Sequence, residues 1–206
     1  MNIKMLKAAV AGLVLSVSGF ANAGMITALD FENVNSSWTT GSWNLGWEFS
    51  LSSDINVTEL GILDIDGDGF SGDYQVGIFD DLGALLASTT INSGSSLSSD
   101  NFRYGTISQL FLSSGNNYKI SAFVGNELYT DNFSVSSFLL APELTFVNSW
   151  YTDSSSFANP TTSGGSSQFW FGANFKYDVV NVPEPSTLAI FALGVLGLAS
   201  RRFKKQ

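Results

Sequence analysis

The run Asp64-Ile65-Asp66-Gly67-Asp68-Gly69-Phe70 sets three carboxylates at alternating positions, with glycines that let the chain curl around a point between them. Oxygens so arranged hold hard divalent cations, and this order is the first half of a Ca2+-binding loop. Asp64, Asp66 and Asp68 are the candidate side-chain ligands, and Phe70 would add its backbone carbonyl. The second half departs from the pattern. Gln75 stands where a bidentate carboxylate is needed, and Asp73 is the nearby acid that would substitute. Two readings stay open: a Ca2+ site, and a solvated, metal-free acidic turn between strands.

Aromatic side chains are the second group with chemical potential. Trp38, Trp43, Trp47, Trp150, Tyr151 and Trp170 would make a platform for sugar rings if they shared a face. Trp47 alternates with Phe49, and Trp170 sits in an aromatic run, so both are expected in the core. Trp38 and Trp43 lie in a Gly/Ser/Thr-rich stretch and are the candidate ligand-binding residues at the surface.

Catalysis has little to work with. The chain has no His and no Cys, which removes an imidazole base, a thiol nucleophile and the usual zinc ligands. Paired carboxylates hydrolyse glycosides, yet no spacing nominates a pair. The expectation is that the protein is not an enzyme. Charge narrows the partners further. Of 18 Asp and Glu, all but Glu184 fall between residues 24 and 182, where Arg103, Lys119 and Lys176 are the basic residues. Such a surface repels phosphate backbones, so no nucleic acid is expected as a partner.

The elements that must position these groups are short β-rich runs punctuated by Gly, Ser, Asn and Asp, which predicts an all-β fold, an antiparallel sandwich of the Greek-key or jelly-roll kind over residues 24–180. About eight to ten strands are expected. Strands are predicted over residues 26–31, 45–51, 57–63, 74–78, 84–90, 102–107, 110–112, 118–124, 143–147 and 168–175. Asp80-Asp81-Leu82-Gly83 reads as a hairpin turn. Leu112-Ser113-Ser114-Gly115-Asn116-Asn117-Tyr118 has the form of a tyrosine corner, whose hydroxyl bonds back to the backbone. Residues 92–100 and 153–167 read as flexible surface loops.

The two ends stand apart from this domain. Lys4 and Lys7 precede an apolar run over residues 8–20, and Ala21-Asn22-Ala23 offers small residues where a signal peptidase reads them. Residues 1–23 are therefore predicted to be a signal peptide, a helix passed through the Sec machinery and cut after Ala23. At the other end, Val182-Pro183-Glu184-Pro185-Ser186 precedes an apolar segment, predicted to span the membrane as a helix over residues 186–200. Arg201, Arg202, Lys204 and Lys205 follow and should hold the cytoplasmic side. As a helix this segment reaches ~22 Å at ~1.5 Å per residue, short of a ~30 Å hydrocarbon core. Snorkelling of the basic side chains would make up the difference, which suits a transient inner-membrane anchor.

Residues 181–206 closely resemble the PEP-CTERM sorting tail, with Pro183, Glu184 and Pro185 matching its motif and the apolar run and basic end following in order. That resemblance implies recognition by an exosortase, removal of the tail and a final place at the cell surface or outside the cell. A second resemblance covers roughly residues 45–118. Leu45-Gly46-Trp47-Glu48-Phe49, Val57-Thr58-Glu59-Leu60-Gly61, Val76-Gly77-Ile78-Phe79 with Leu85-Leu86-Ala87-Ser88, and then Leu112 to Tyr118 come in the order of a DUF4082-like group of bacterial secreted sandwiches, which they resemble. Its motifs are core and turn residues, and they imply fold more than activity. The leading expectation is a non-enzymatic surface or matrix protein associated with exopolysaccharide or biofilm. The alternative is a carbohydrate-binding module, calcium-supported if the acidic loop binds metal. A hydrolase is the third class.

Overall fold

In the computed structural model the described residues are 24–31, 37–39, 41, 43–130 and 138–180. The predicted signal segment with Ala21 and Ala23 lies outside them. So do the predicted tail helix and its residues Pro183, Glu184, Pro185, Arg201, Arg202, Lys204 and Lys205.

Fourteen strands are present among the described residues: β1 Ile26–Thr27, β2 Leu29–Phe31, β3 Ser37–Thr39, β4 Trp43–Leu51, β5 Ile55–Leu63, β6 Tyr74–Asp80, β7 Leu85–Ile91, β8 Phe102–Leu112, β9 Asn117–Phe123, β10 Leu128–Thr130, β11 Phe138–Leu140, β12 Leu144–Asp153, β13 Thr162–Gly165 and β14 Ala173–Val179. They form a four-stranded sheet in the order β1-β14-β5-β8 and a six-stranded sheet in the order β13-β12-β4-β9-β6-β7. Two small sheets pair β3 with β10 and β2 with β11. Every pairing is antiparallel. The fold is the all-β sandwich that the alternation predicts.

The core lies between the two large sheets. Along β4 the alternate residues Leu45, Trp47, Phe49 and Leu51 are buried, as a strand's period of two requires. Trp47 packs on Phe175 at 6.2 Å and edge-on to Phe171 at 5.5 Å. Its indole Nε1 donates to the Ala173 carbonyl at 2.8 Å, which ties the six-stranded sheet to β14 of the four-stranded one. Truncating so buried a Trp to Ala costs about 3–5 kcal/mol in comparable cores.

Two turns form as their residues predict. Gly83 has φ +88° at the β6–β7 hairpin, where its amide donates to the Asp80 carbonyl at 3.1 Å and the Ala84 amide to Asp80 Oδ1 at 2.7 Å. Between β8 and β9, the Tyr118 hydroxyl accepts from the Ser113 amide at 3.1 Å and donates to the Ser113 carbonyl at 3.2 Å. That is the tyrosine corner, placed where the chain crosses from one large sheet to the other.

Elsewhere the structure corrects the sequence reading. Residues 102–112 are one strand, with Thr106 and Leu110 flanking a bulge opposite Val57 and Glu59. The segment 153–167 is packed rather than loose. Thr162–Gly165 pairs with β12, and Asn44 donates to the Ser156 carbonyl at 2.9 Å and accepts from the Ala158 amide at 2.9 Å. Phe157 lies against Phe79 at 5.6 Å. This segment covers the outer face of β4 at Asn44, while Asn117 and Trp150 close over Glu48 farther along the same face. The last strand begins at Ala173: residues 168–171 pack along the inner side of β12, and the Gly172 carbonyl accepts the Leu63 amide at 2.8 Å where the chain joins β5.

Candidate functional site

Two places carry the side chains singled out by the sequence. The first is the acidic loop that follows β5. Gly67 and Gly69 adopt φ +72° and +99°, left-handed values that side chains resist, and so turn their amides back toward Asp64. Asp64 Oδ1 accepts the Gly67 amide at 3.1 Å, and Oδ2 accepts the Gly69 amide at 3.2 Å. Arg103, opposite Ile62 in β8, brings its Nε to Asp64 Oδ2 at 2.6 Å. The guanidinium also donates to the Ser95 carbonyl and lies 5.7 Å from the Phe70 ring centre. Both side chains of this ion pair are buried, Arg103 at 10 % and Asp64 at 2 % exposure.

The structure brings Asp64, Asp66 and Asp68 together, one oxygen of each within 4.8 Å of the others. Asp66 and Asp68 are exposed. The Asp66 carboxyl is held above its ordinary value, first by partial desolvation and then by the Asp68 charge beside it. Asp73 is engaged elsewhere, its Oδ1 accepting the Ser93 amide at 2.8 Å. Phe70 is buried by its ring, edge-on to Tyr74 at 5.6 Å. Three carboxylates suit a Ca2+ ion in type, but Ca2+ takes about 6–8 oxygens. Asp64 Oδ2 already faces a cation, the Arg103 guanidinium.

The second place is an aromatic groove of about 230 Å³, lined by Trp43, Leu45, Tyr151, Gln168 and Trp170. β4 supplies Trp43 and Leu45, and β12 supplies Tyr151, which is paired with Leu45. The segment between β13 and β14 supplies the other wall. Its alternation splits the aromatics: Phe169 and Phe171 pack on Phe146 at 5.1 and 5.5 Å, while Trp170 meets Tyr151 at 5.3 Å. The buried Ser149 hydroxyl donates to the Gln168 carbonyl and fixes that wall to β12. Gly164 gives room for the indole, since a Cβ there would lie 2.3 Å from Trp170 Cζ3.

The rings stand at angles. Trp43 meets Tyr151 at 61° and 5.4 Å, and Tyr151 meets Trp170 at 87°. They form a notched wall rather than a flat platform. Trp43 is half-buried in it, and Trp170, expected in the core, lines it as well. Trp150 faces away, because neighbours on a strand alternate. Its Nε1 donates to Glu48 Oε2 at 2.7 Å, and Lys119 Nζ lies 3.9 Å over its ring. Trp47 is fully buried. Trp38 occupies β3, opposite Tyr129 in register.

Sequence reasoning passed over Arg103 and Gln168. Arg103 is 39 residues from Asp64, so no local pattern announces the pair. Its signal was its rarity as a cation within an acidic domain. Gln168 had none, since its place depends on the chain leaving the sheet before Ala173.

Residues 181–205 match the family model of the PEP-CTERM protein-sorting motif. The chain carries an exosortase sorting tail. This PEP-CTERM tail means export, a membrane-anchored C-terminus before processing, and an exosortase as the processing partner. The match does not reach residues 45–118, where the DUF4082-like resemblance lies. No curated protein matches the chain.

Proposed function

We propose that the exported domain is a non-enzymatic surface or matrix protein that associates with extracellular polysaccharide, and that the groove at Trp43, Tyr151 and Trp170 is where it holds a sugar chain. The groove is the observation that supports this reading. Pyranose rings present apolar C–H faces and a rim of hydroxyls. A concave site with several aromatic faces and one amide, Gln168, offers contacts for both. Three tryptophan and tyrosine rings beside a groove also make binding visible as a change in intrinsic fluorescence.

The test is titration of the exported protein with a panel of polysaccharides, followed by tryptophan fluorescence, together with deletion of the gene. Saturable quenching that Trp170→Ala removes, with loss of matrix cohesion on deletion, is expected. Silence across the panel overturns the saccharide reading, and turnover of any polysaccharide overturns the non-enzymatic one.

A second reading adds Ca2+ at Asp64, Asp66 and Asp68, supported by the closeness of their oxygens. The Arg103–Asp64 pair favours the metal-free alternative, in which the guanidinium supplies the positive charge at the head of the loop.

A further inference from the structure

We infer that the groove selects uncharged saccharides and rejects uronate-type, polyanionic chains. The inference rests on the saccharide reading above and adds the ligand's charge. The groove lining, Trp43, Leu45, Tyr151, Gln168 and Trp170, contains no ionisable cation or acid apart from the Tyr151 phenol. The sequence around these residues is uncharged over long stretches: residues 33–47, 144–152 and 154–175 contain no Asp, Glu, Lys or Arg.

Recognition of a carboxylated sugar calls for Arg or Lys, most effectively a guanidinium that grips both carboxylate oxygens. The domain has three basic residues between residues 24 and 182, and each is engaged away from the groove. Arg103 is paired with the buried Asp64. Lys119 lies on the Trp150 ring, on the opposite face of the six-stranded sheet. Lys176 reaches Glu59 at 3.6 Å and lies 3.8 Å over the Tyr104 ring, on the four-stranded sheet. No cation of the domain is left to meet a uronate at Trp170.

The charge that stands beside the groove among the described residues has the wrong sign for an anion. Asp153 is exposed and is the cross-strand partner of Trp43, so it shares that residue's face of the sheet. At physiological salt, charges act over roughly 8 Å, so this neighbouring carboxylate counts for more than the domain's total charge. A carboxylate accepts hydrogen bonds from sugar hydroxyls and repels sugar carboxylates. Among the described residues, an uncharged groove with Asp153 at its rim is thus complementary to neutral hexose or pentose chains.

The experiment compares cellohexaose, xylohexaose and mannohexaose with hexagalacturonate and an alginate hexamer. Calorimetry and tryptophan fluorescence are read on the exported protein at two salt concentrations. Binding of at least one neutral oligosaccharide, at least ten-fold tighter than either uronate, is expected. Trp170→Ala should remove it while circular dichroism stays unchanged. Asp153→Lys should narrow the gap at low salt by improving uronate binding several-fold. Tighter binding of a uronate by the wild type overturns the charge selection and leaves the saccharide reading standing. Failure of every neutral and charged chain to bind overturns both.

Discussion

At the acidic loop the chain meets its own needs. Asp64 receives two backbone amides and a guanidinium, and Arg103 finds a carboxylate, a carbonyl and a ring. At the groove the side chains are assembled just as firmly, by Ser149, Gly164 and the Phe146–Phe169–Phe171 cluster, yet their assembly leaves a concave space. Both regions attract attention for the types of residue they contain. What separates them is whether the polar and aromatic surface is consumed within the fold. Removing a partner from the loop should therefore damage stability, and removing one from the groove should damage binding.

The largest effect is expected at Arg103. Arg103→Ala leaves Asp64 buried without its counter-charge, and breaking a buried pair in this way costs about 3–5 kcal/mol. Chemical denaturation should show a lower midpoint, while any saccharide affinity of the folded fraction stays at the wild-type value. A midpoint within error of wild type would mean that the loop does not depend on this pair.

Trp170→Ala should invert that pattern. The indole is half-buried, so the stability loss is smaller than at the fully buried Trp47. Binding should fall by at least ten-fold, the equivalent of about 1.4 kcal/mol. A subtler probe of the same wall is Gly164→Ala. Its added methyl would press on Cζ3 and Cη2 of Trp170 from 2.3 and 2.5 Å and force the ring to move. Saccharide binding should weaken several-fold with little change in melting temperature, because Gly164 is half-buried in the short edge strand β13 and meets the far end of a half-buried side chain. Unchanged binding would show that the ring's position is immaterial.

How much of this was readable in advance follows the distance over which each feature is determined. The tyrosine corner needs Ser113 and Tyr118, five residues apart, and the hairpin needs only its turn residues, so both were legible. The alternation of β4 likewise placed Trp47 in the core. Trp170 packs against the core, as its aromatic run predicts, yet also lines the groove, because such a run alternates in the same way whether or not it is hydrogen-bonded into a sheet. Here residues 168–172 cross the edge of the core, so Phe169 and Phe171 go in and Trp170 turns toward Tyr151. The packing of residues 153–167 depended on Asn44, more than a hundred positions away, for which a Ser-rich composition gives no sign. The acidic cluster was visible as a motif, whereas the arginine that answers it belongs to another strand.

The smallest effects should come from the loop's exposed acids, and they distinguish its two readings most directly. Asp66 titrates above its ordinary value because partial desolvation, and then the Asp68 charge, disfavour its ionised form in the folded state. Its ionisation therefore lowers stability slightly at neutral pH. That cost disappears as pH falls through the folded-state pKa, and below the unfolded-state pKa the carboxyl is protonated in both states. Asp66→Asn should accordingly raise the melting temperature a little at neutral pH and leave it unchanged in acid. A bound Ca2+ would reverse the sign, because the ion would reward the ionised carboxylate and the substitution would remove a ligand. It would also stabilise the wild type by about 2.7 kcal/mol at a concentration a hundred times its Kd. Melting curves of both proteins in chelator and in millimolar Ca2+ separate the cases: with Arg103 serving as the loop's cation, neither curve moves with Ca2+ and Asp66→Asn melts slightly higher in both. A rise of several degrees for the wild type in Ca2+, lost in the variant, would make the loop a metal site and remove the contrast with the groove.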